Sequence, residues 1–216
     1  MPAYSEERNV DDKSRALSDF QRDTTDHTMR VHRDDGLYRH IEFSNRGSSV
    51  YRFDLVTWPG YLTVCGDMGT WTFSRIADMF EFFGGKKDIN PGYCGEKLQS
   101  GAGSRGADIC MEFDEESFKS GLRNLLAEYQ EEPDDASDFA ITINEILEGD
   151  YSHEHQACQA LYDSDLSNPY ELMEGLTMKR YSHHYLWILH AIVWGIQQYN
   201  TSKEAQQLGI ETKEVR

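Results

Sequence analysis

Cysteine is scarce in this 216-residue sequence, and an export signal is missing. The four cysteines, Cys65, Cys94, Cys110 and Cys158, include no CxxC pair, so the sequence does not indicate a disulfide-stapled framework. Residues 1–19 are polar throughout and lack the apolar stretch of a signal peptide. We therefore expect a cytoplasmic protein with reduced thiols.

Long apolar runs and the motifs of familiar enzyme classes are also missing. The longest apolar run, Tyr185 to Ile196, has 12 residues including His190, whereas a bilayer span takes about 20. There is no Gly-x-Ser-x-Gly motif and no phosphate-binding loop. Cys94 lies in a glycine-rich segment without a base that the sequence places beside it. We expect no membrane association and no cofactor, and we name no catalytic residue.

Basic residues are few in one third of the chain. Residues 111–175 contain 18 Asp and Glu against Lys119 and Arg123, a balance of −16, while the remainder has 19 basic and 20 acidic residues. The net charge of −17 therefore belongs almost entirely to one segment. A DNA backbone would be repelled by that segment, so direct binding of nucleic acid is not expected.

Alternation of apolar and polar residues predicts five antiparallel strands. Residues 27–33, 37–43 and 51–74 alternate with the period of half-buried strands. Turn signals separate them, among them Asp-Asp-Gly at 34–36 and Gly-Asp-Met-Gly at 66–69. The predicted fold class is α+β, with a five-strand meander packed by helices.

The first helix predicted to pack on the meander follows its last strand. Ile76, Met79, Phe80 and Phe83 recur at helical spacing and form one apolar stripe. Ser74 stands where an N-cap would accept a hydrogen bond from the first free amides. The sequence therefore predicts a helix from about residue 75, capped by Ser74.

Composition shifts divide the chain into five segments. They are a mobile N-terminal segment (1–26), the meander with its helix and a Gly-rich loop (27–110), an acidic helical lobe (111–180), a buried C-terminal helix on the sheet (181–200) and a tail (201–216). Within the first segment, the apolar residues around Phe20 are compatible with one short amphipathic helix. Residues 111–180 are called the acidic lobe below.

Several strings carry a resemblance. They are DDGLYRH (34–40), FDLVTWPG (53–60), GDMGT (66–70), TFSR (72–75), DMFEFF (78–83) and NPGY (90–93) followed by Glu96-Lys97, with a helix at 186–199. With these strings the sequence resembles a family of uncharacterised proteins encoded by bacteriophages and prophages. The resemblance implies an accessory factor that acts in the cytoplasm of an infected bacterium, by blocking host defence or redirecting a host protein.

Polar residues around the meander form a candidate anion or nucleotide site. The candidates are Arg39, His40, Asp67, Ser74 and Arg75. An arginine beside a helix start suits an anion, because the guanidinium and the free amides point to the same place. In the alternative, both arginines pair with Asp54 and Asp67 and fix the turn. A protein that binds or processes a nucleotide is thus the second functional hypothesis.

Histidines and cysteines do not show the spacing of a metal site. The nearest approach to a ligand set is His153, His155 and Cys158, with further histidines at 183, 184 and 190. Four ligands must converge on zinc, and adjacent residues of a helix face different ways. We expect no metal site.

Carboxylates of the acidic lobe form the candidate surface for a partner. The residues are Glu115, Glu116, Glu131, Glu132, Asp134, Asp135, Asp138, Glu148, Asp150, Asp163 and Asp165. Such a surface can imitate a nucleic-acid backbone and occupy a basic groove on a host protein. It can equally be a solvated face that keeps the protein soluble. Both interpretations are compatible with the sequence.

Overall fold

A computed structural model of the chain describes residues 3–85, 88–99, 109–129 and 136–208. The chain divides into two compact units, Arg8–Cys110 with Tyr181–Arg216, called the sheet unit, and Met111–Arg180 with Met1–Glu7. The strands are β1 (Thr28–Asp35), β2 (Tyr38–Ser44), β3 (Phe53–Trp58), β4 (Tyr61–Gly66), β5 (Gly69–Ser74), β6 (Met111–Phe113) and β7 (Lys179–Tyr181). The helices are α1 (Ala3–Asp23), α2 (Met79–Phe83), α3 (Pro91–Gly95), α4 (Glu115–Tyr129), α5 (Ala136–Glu148), α6 (Glu154–Tyr162), α7 (Pro169–Gly175) and α8 (His183–Gln207).

Strands β1 to β5 form one antiparallel sheet in chain order. This confirms the predicted α+β fold with a five-strand meander. Gly36 has φ of 59° in the turn between β1 and β2, a conformation that favours glycine and explains the turn signal in the sequence. The register of β1 shifts between Val31 and Arg33, so one extra residue, His32, stands in a bulge.

One face of the sheet is apolar because alternate residues of each strand point to it. Ile41, Phe43, Leu55, Leu62 and Phe73 lie on this face and are each 0% exposed. Their cluster also includes buried residues of α2 and α8, so helices cover this face as the sequence predicts. The other face of the sheet carries polar side chains.

Helix α8 approaches the sheet closely at a glycine. A Cβ added to Gly195 would lie 2.9 Å from Leu55 Cδ1 and 3.0 Å from Phe43 Cε2. Trp187, two turns earlier, is 0% exposed and meets the Phe53 ring edge-on, with centroids 5.8 Å apart. The sheet unit is therefore centred on the contact between α8 and the middle strands.

Two predictions about the chain ends are wrong. Residues 1–26 were expected to be mobile, but α1 occupies most of them, and its Ala16 and Phe20 are buried at 1% and 2% exposure. The Phe20 ring packs edge-on against the Trp187 ring, with centroids 5.1 Å apart. Helix α1 is therefore anchored in the hydrophobic core. The tail was expected to begin at residue 201, but α8 continues to Gln207, and Lys203 forms an ion pair with Asp34. Residues 209–216 lie outside the described part of the chain.

The expected cap of α2 is also wrong. Ser74 is the last residue of β5, where its N–H donates to the Lys97 carbonyl at 2.9 Å. The helix starts later, and the Asp78 carboxylate caps it by accepting from the Phe80 N–H at 2.9 Å. Ile76 consequently stays outside the helix and is 40% exposed.

The acidic lobe has a hydrophobic core of its own. Phe118 and Leu122 of α4, Ile143 of α5 and Leu161 of α6 are each 0% exposed and belong to one cluster. Strands β6 and β7 pair with each other in a separate two-stranded sheet. Over the described residues, no helix has both the length and the apolar character that a membrane span requires.

Candidate functional site

The residues predicted as an anion site do not converge. Arg39 lies on the helix-covered side of the sheet, where Nη1 and Nη2 donate to the Asp78 carboxylate at 2.9 and 2.8 Å. Its side chain is 11% exposed, and its guanidinium lies 4.5 Å from the centre of the Phe80 ring. His40, the next residue of the strand, points to the opposite face and bonds Asp54 at 2.9 Å.

The remaining candidates of that site lie at two further places. Asp67, in the turn between β4 and β5, accepts the Tyr51 N–H at 2.8 Å and so holds the neighbouring loop. Ser74 ends β5, and Arg75 is exposed in the bend that follows. No ion pair joins Arg75 to another described residue. The alternative pairing was also wrong for Arg39, because its partner is Asp78, which the sequence argument did not consider.

All four cations of the acidic lobe are engaged by its own carboxylates. The pairs are Lys119 with Glu115 at 2.9 Å, Arg123 with Glu116 at 2.9 Å, Lys179 with Glu154 at 3.1 Å and Arg180 with Glu112 at 3.0 Å. Residues 111–180 hold 18 acidic and 4 basic side chains, so the balance of the acidic lobe is 4 − 18 = −14. Two of these cations, Lys179 and Arg180, lie just beyond residues 111–175, whose balance is −16.

The carboxylates named from the sequence fall into three groups. Two are paired with lysine or arginine near the start of α4, namely Glu115 and Glu116. Five are exposed and form no ion pair with a described residue, namely Asp138, Glu148, Asp150, Asp163 and Asp165. Four lie outside the described residues, namely Glu131, Glu132, Asp134 and Asp135. The predicted surface thus includes a paired part and an unpaired part.

Three exposed carboxylates of the lobe stand next in sequence to residues that line one groove. Tyr129 at the end of α4 stacks on Phe139 of α5, with ring centroids 4.0 Å apart. Both rings line a groove of about 330 Å³, together with residues 166–168, 171 and 172. Glu128, Asp138 and Asp165 are the chain neighbours of lining residues and are exposed. We call these three carboxylates the acidic end.

Helix dipoles favour one of these charges and oppose another, because Asp138 lies in the first turn of α5 and Glu128 lies in the last turn of α4. A negative side chain is unfavourable in the last turn of a helix, because the dipole is already negative there. Yet α4 ends with Glu128 and Tyr129, α5 ends with Glu148, and neither helix has a basic residue in its last turn. The carboxylates of Glu128 and Glu148 therefore interact unfavourably with the dipoles of their own helices.

A charged network on the solvent-facing side of the sheet was not foreseen from the sequence. Glu42 and Asp54 stand directly opposite each other on β2 and β3, and each is 8% exposed. Two buried like charges in such a pair destabilise a sheet unless cations compensate. Arg52 does so, with Nη2 at 3.1 Å from Asp54 and 3.6 Å from Glu42.

Two histidines complete this network. His32, in the β1 bulge, bonds Glu42 through Nε2 at 2.8 Å, and His40 bonds Asp54 through Nε2 at 2.9 Å. The two imidazole rings stack on each other, with centroids 4.6 Å apart. The alternation of His40, Glu42 and Ser44 along β2 was the signal available in the sequence. The bulge that places His32 beside His40 could not be predicted from the sequence, because the alternation of apolar and polar residues assigns side chains to faces only in a regular strand.

Hydrogen bonds set the protonation of the two carboxylates. His32 and Ser44 lower the pKa of Glu42 from its ordinary value of 4.5. For Asp54 burial acts in the opposite direction, but bonds from Arg52 and His40 outweigh it and lower the pKa from 3.8. Both groups are therefore ionised at neutral pH.

The stability of the sheet unit should consequently fall in acid. A depressed folded pKa contributes stability that is present above the unfolded pKa and is lost as pH falls through the folded value. We expect the free energy of unfolding to decrease from about pH 4.5 downwards, and to do so less steeply in a Glu42→Gln/Asp54→Asn variant. The variant should lose about 1–3 kcal/mol per site at pH 7. Urea unfolding at pH 3, 4, 5 and 7 measures both effects, and equal pH dependence of variant and wild type would contradict them.

Comparisons of this chain with protein-family models, curated proteins and solved structures found no match. The site must therefore be argued from its geometry. Among the described residues, no group of three or more His, Cys, Asp or Glu side chains is arranged to hold a metal ion. Cys94, the thiol considered from the sequence, is buried at 2% exposure.

Proposed function

We propose that this chain is a phage- or prophage-encoded accessory protein that binds a host protein through the acidic lobe. The partner presents a basic surface, and it belongs to host defence or to the handling of nucleic acid in the bacterial cytoplasm. One observation carries the proposal. The lobe forms most of one compact unit and has a balance of −14 over residues 111–180. Its four cations all pair with carboxylates that do not belong to the acidic end.

The alternative, a face that only keeps the protein soluble, accounts less well for this distribution. Solubility of a small domain needs a net charge of about 2–8, with both signs interspersed. The lobe exceeds that range, and outside residues 111–180 there are 17 basic and 20 acidic residues, a balance of −3. A field of one sign attracts an oppositely charged partner over about one Debye length, roughly 8 Å at physiological salt.

Capture of the partner from a bacterial lysate tests the proposal. We expect wild-type protein to retain a basic protein at about 0.15 M salt and to release it near 0.5 M, because screening shortens the reach of the lobe. In a Glu128→Gln/Asp138→Asn/Asp165→Asn variant, retention should fall at least tenfold. Quantitative mass spectrometry of the bound fraction measures this ratio. Fragmented duplex DNA added to the lysate should compete for the same partner.

A matched control separates the acidic end from total charge. Asp26, Glu81 and Glu204 are exposed carboxylates of the sheet unit, so their neutralisation changes the net charge by the same three units. The control variant should retain the partner as wild type does. An equal loss of partner retention in both variants would contradict a specific role of the acidic end. Retention of the partner that persists unchanged at 0.5 M salt would contradict it as well.

A further inference from the structure

The stacked histidines on the solvent-facing side of the sheet leave one nitrogen each for a ligand. Nε2 of His32 and of His40 is used in bonds to Glu42 and Asp54. Nδ1 of either ring has no hydrogen bond to a described residue, and the side chains are 29% and 39% exposed. A carboxylate on one nitrogen fixes the orientation of an imidazole. Both rings are thereby held in a fixed position, and Nδ1 of each ring donates a hydrogen bond when the ring carries both protons.

A groove of about 380 Å³ runs along these rings. Its lining residues include His32, Arg33, Tyr38, His40 and Trp58. The Arg33 guanidinium lies 5.2 Å from the centre of the Tyr38 ring, and Trp58 stacks on Tyr61 with centroids 5.1 Å apart. Trp58 is 37% exposed. The groove therefore combines cationic donors with an accessible aromatic surface, at a volume that suits a small ligand.

The charge on this side of the sheet depends on the two imidazoles. The titratable and charged groups that face it are Arg30, His32, Arg33 and Asp35 of β1, Tyr38, His40 and Glu42 of β2, Arg52 and Asp54 at β3, and Tyr61 and Cys65 of β4. Three arginines balance three carboxylates, 3 − 3 = 0, when both histidines are neutral. Protonation of both rings makes the balance +2. Two imidazolium rings 4.6 Å apart repel each other, and an oxyanion placed at both Nδ1 atoms removes that repulsion.

We propose that this groove binds a nucleoside monophosphate. The phosphate oxygens accept hydrogen bonds from Nδ1–H of His32 and His40, and Arg33 adds positive charge beside them. The base stacks on the Trp58 ring, since every nucleobase has a flat face that an aromatic side chain can cover. The site differs from the acidic lobe in unit, charge and ligand, so it is independent of the function proposed above.

Calorimetric titration with adenosine 5′-monophosphate tests the assignment. We expect the wild-type protein to bind the nucleotide at pH 6. Inorganic phosphate should bind about five- to tenfold more weakly than the nucleotide, and adenosine should not bind. Equal affinity for phosphate and nucleotide would overturn the assignment of the base to Trp58.

Conservative variants keep the test separate from folding. His32→Gln/His40→Gln retains an N–H donor for each buried carboxylate but removes both Nδ1 donors and both charges. It should bind the nucleotide at least tenfold more weakly while the thermal midpoint stays close to that of wild type. Trp58→Ala should weaken the binding of the nucleotide about tenfold and leave the affinity for inorganic phosphate unchanged. His184→Gln, an exposed histidine of α8, is the control and should bind as wild type. Unchanged binding in the double variant, or no binding by wild type at 10 mM nucleotide, would overturn the proposal.

Discussion

Replacing Asp78 with alanine is expected to destabilise the sheet unit by about 3–5 kcal/mol, as removal of one partner from a buried ion pair does. The Arg39 guanidinium would lose both of its bonds to that carboxylate, and Nε of Arg39 is already buried without a hydrogen-bond partner. Helix α2 would also lose its N-cap bond to Phe80. Urea unfolding followed by tryptophan fluorescence measures the loss.

The controls distinguish the pair from the cap. Asp78→Asn keeps a side-chain oxygen for the Phe80 amide but removes the negative charge. Its free energy of unfolding should therefore fall less than that of Asp78→Ala. The double variant Arg39→Met/Asp78→Asn removes both charges together. It should recover part of the free energy of unfolding that Asp78→Ala loses, because no unpaired guanidinium stays buried. A loss below about 1 kcal/mol for Asp78→Ala would show that Arg39 does not depend on Asp78. Arg39 would then be available for the anion site that the sequence suggested.

Trp187→Ala is expected to cost about 3–5 kcal/mol, the usual range for truncating a large buried aromatic residue. Its ring is 0% exposed and touches Phe20 of α1, Tyr51 and Phe53. Its indole N–H donates to Asp23 at 3.2 Å. The truncation would therefore leave a cavity between α8, α1 and the sheet and would free a buried acceptor.

Fluorescence is suited to this measurement because all four tryptophans, at positions 58, 71, 187 and 194, lie in the sheet unit. The signal of the remaining three follows that unit and not the acidic lobe. Trp58→Ala, which truncates an exposed ring, is the matched control and should cost less than about 1 kcal/mol. Similar losses for both variants would contradict the central position of Trp187.

The sequence was informative where local patterns and tertiary structure agree. Alternation located all five strands of the meander, and the turn at Gly36 was visible as Asp-Asp-Gly. The continuous apolar surface of α8 predicted a buried helix. These features depend on neighbours in the chain, which is why periodicity reveals them.

The errors come from contacts between residues far apart in the chain. Helix α1 is ordered by Phe20 meeting Trp187, and a window of N-terminal residues contains no trace of that contact. Helix α2 starts later than predicted because Asp78, and not Ser74, caps it. The Asp78 carboxylate also forms an ion pair with Arg39 of β2. Local patterns cannot rank two possible caps when a distant arginine determines which one is used.

Sites were harder to predict than elements for the same reason. Arg39 and His40 are adjacent in sequence but lie on opposite faces of β2, so their closeness in the chain was misleading. His32 and His40 were never considered together, because a bulge in β1 brings the first to the second. The charge of the acidic lobe was visible in the composition, whereas the pairs that neutralise part of it were not.

We propose that unpaired charge at the acidic end attracts the partner, and the association rate constant measures this attraction. With the captured partner immobilised, surface plasmon resonance should show a rate constant that falls at least tenfold between 0.05 and 0.3 M salt, while dissociation changes little. The Glu128→Gln/Asp138→Asn/Asp165→Asn variant should associate more slowly and depend less on salt, and the sheet-unit control should match wild type. An association rate that neither salt nor the variant changes would contradict the account.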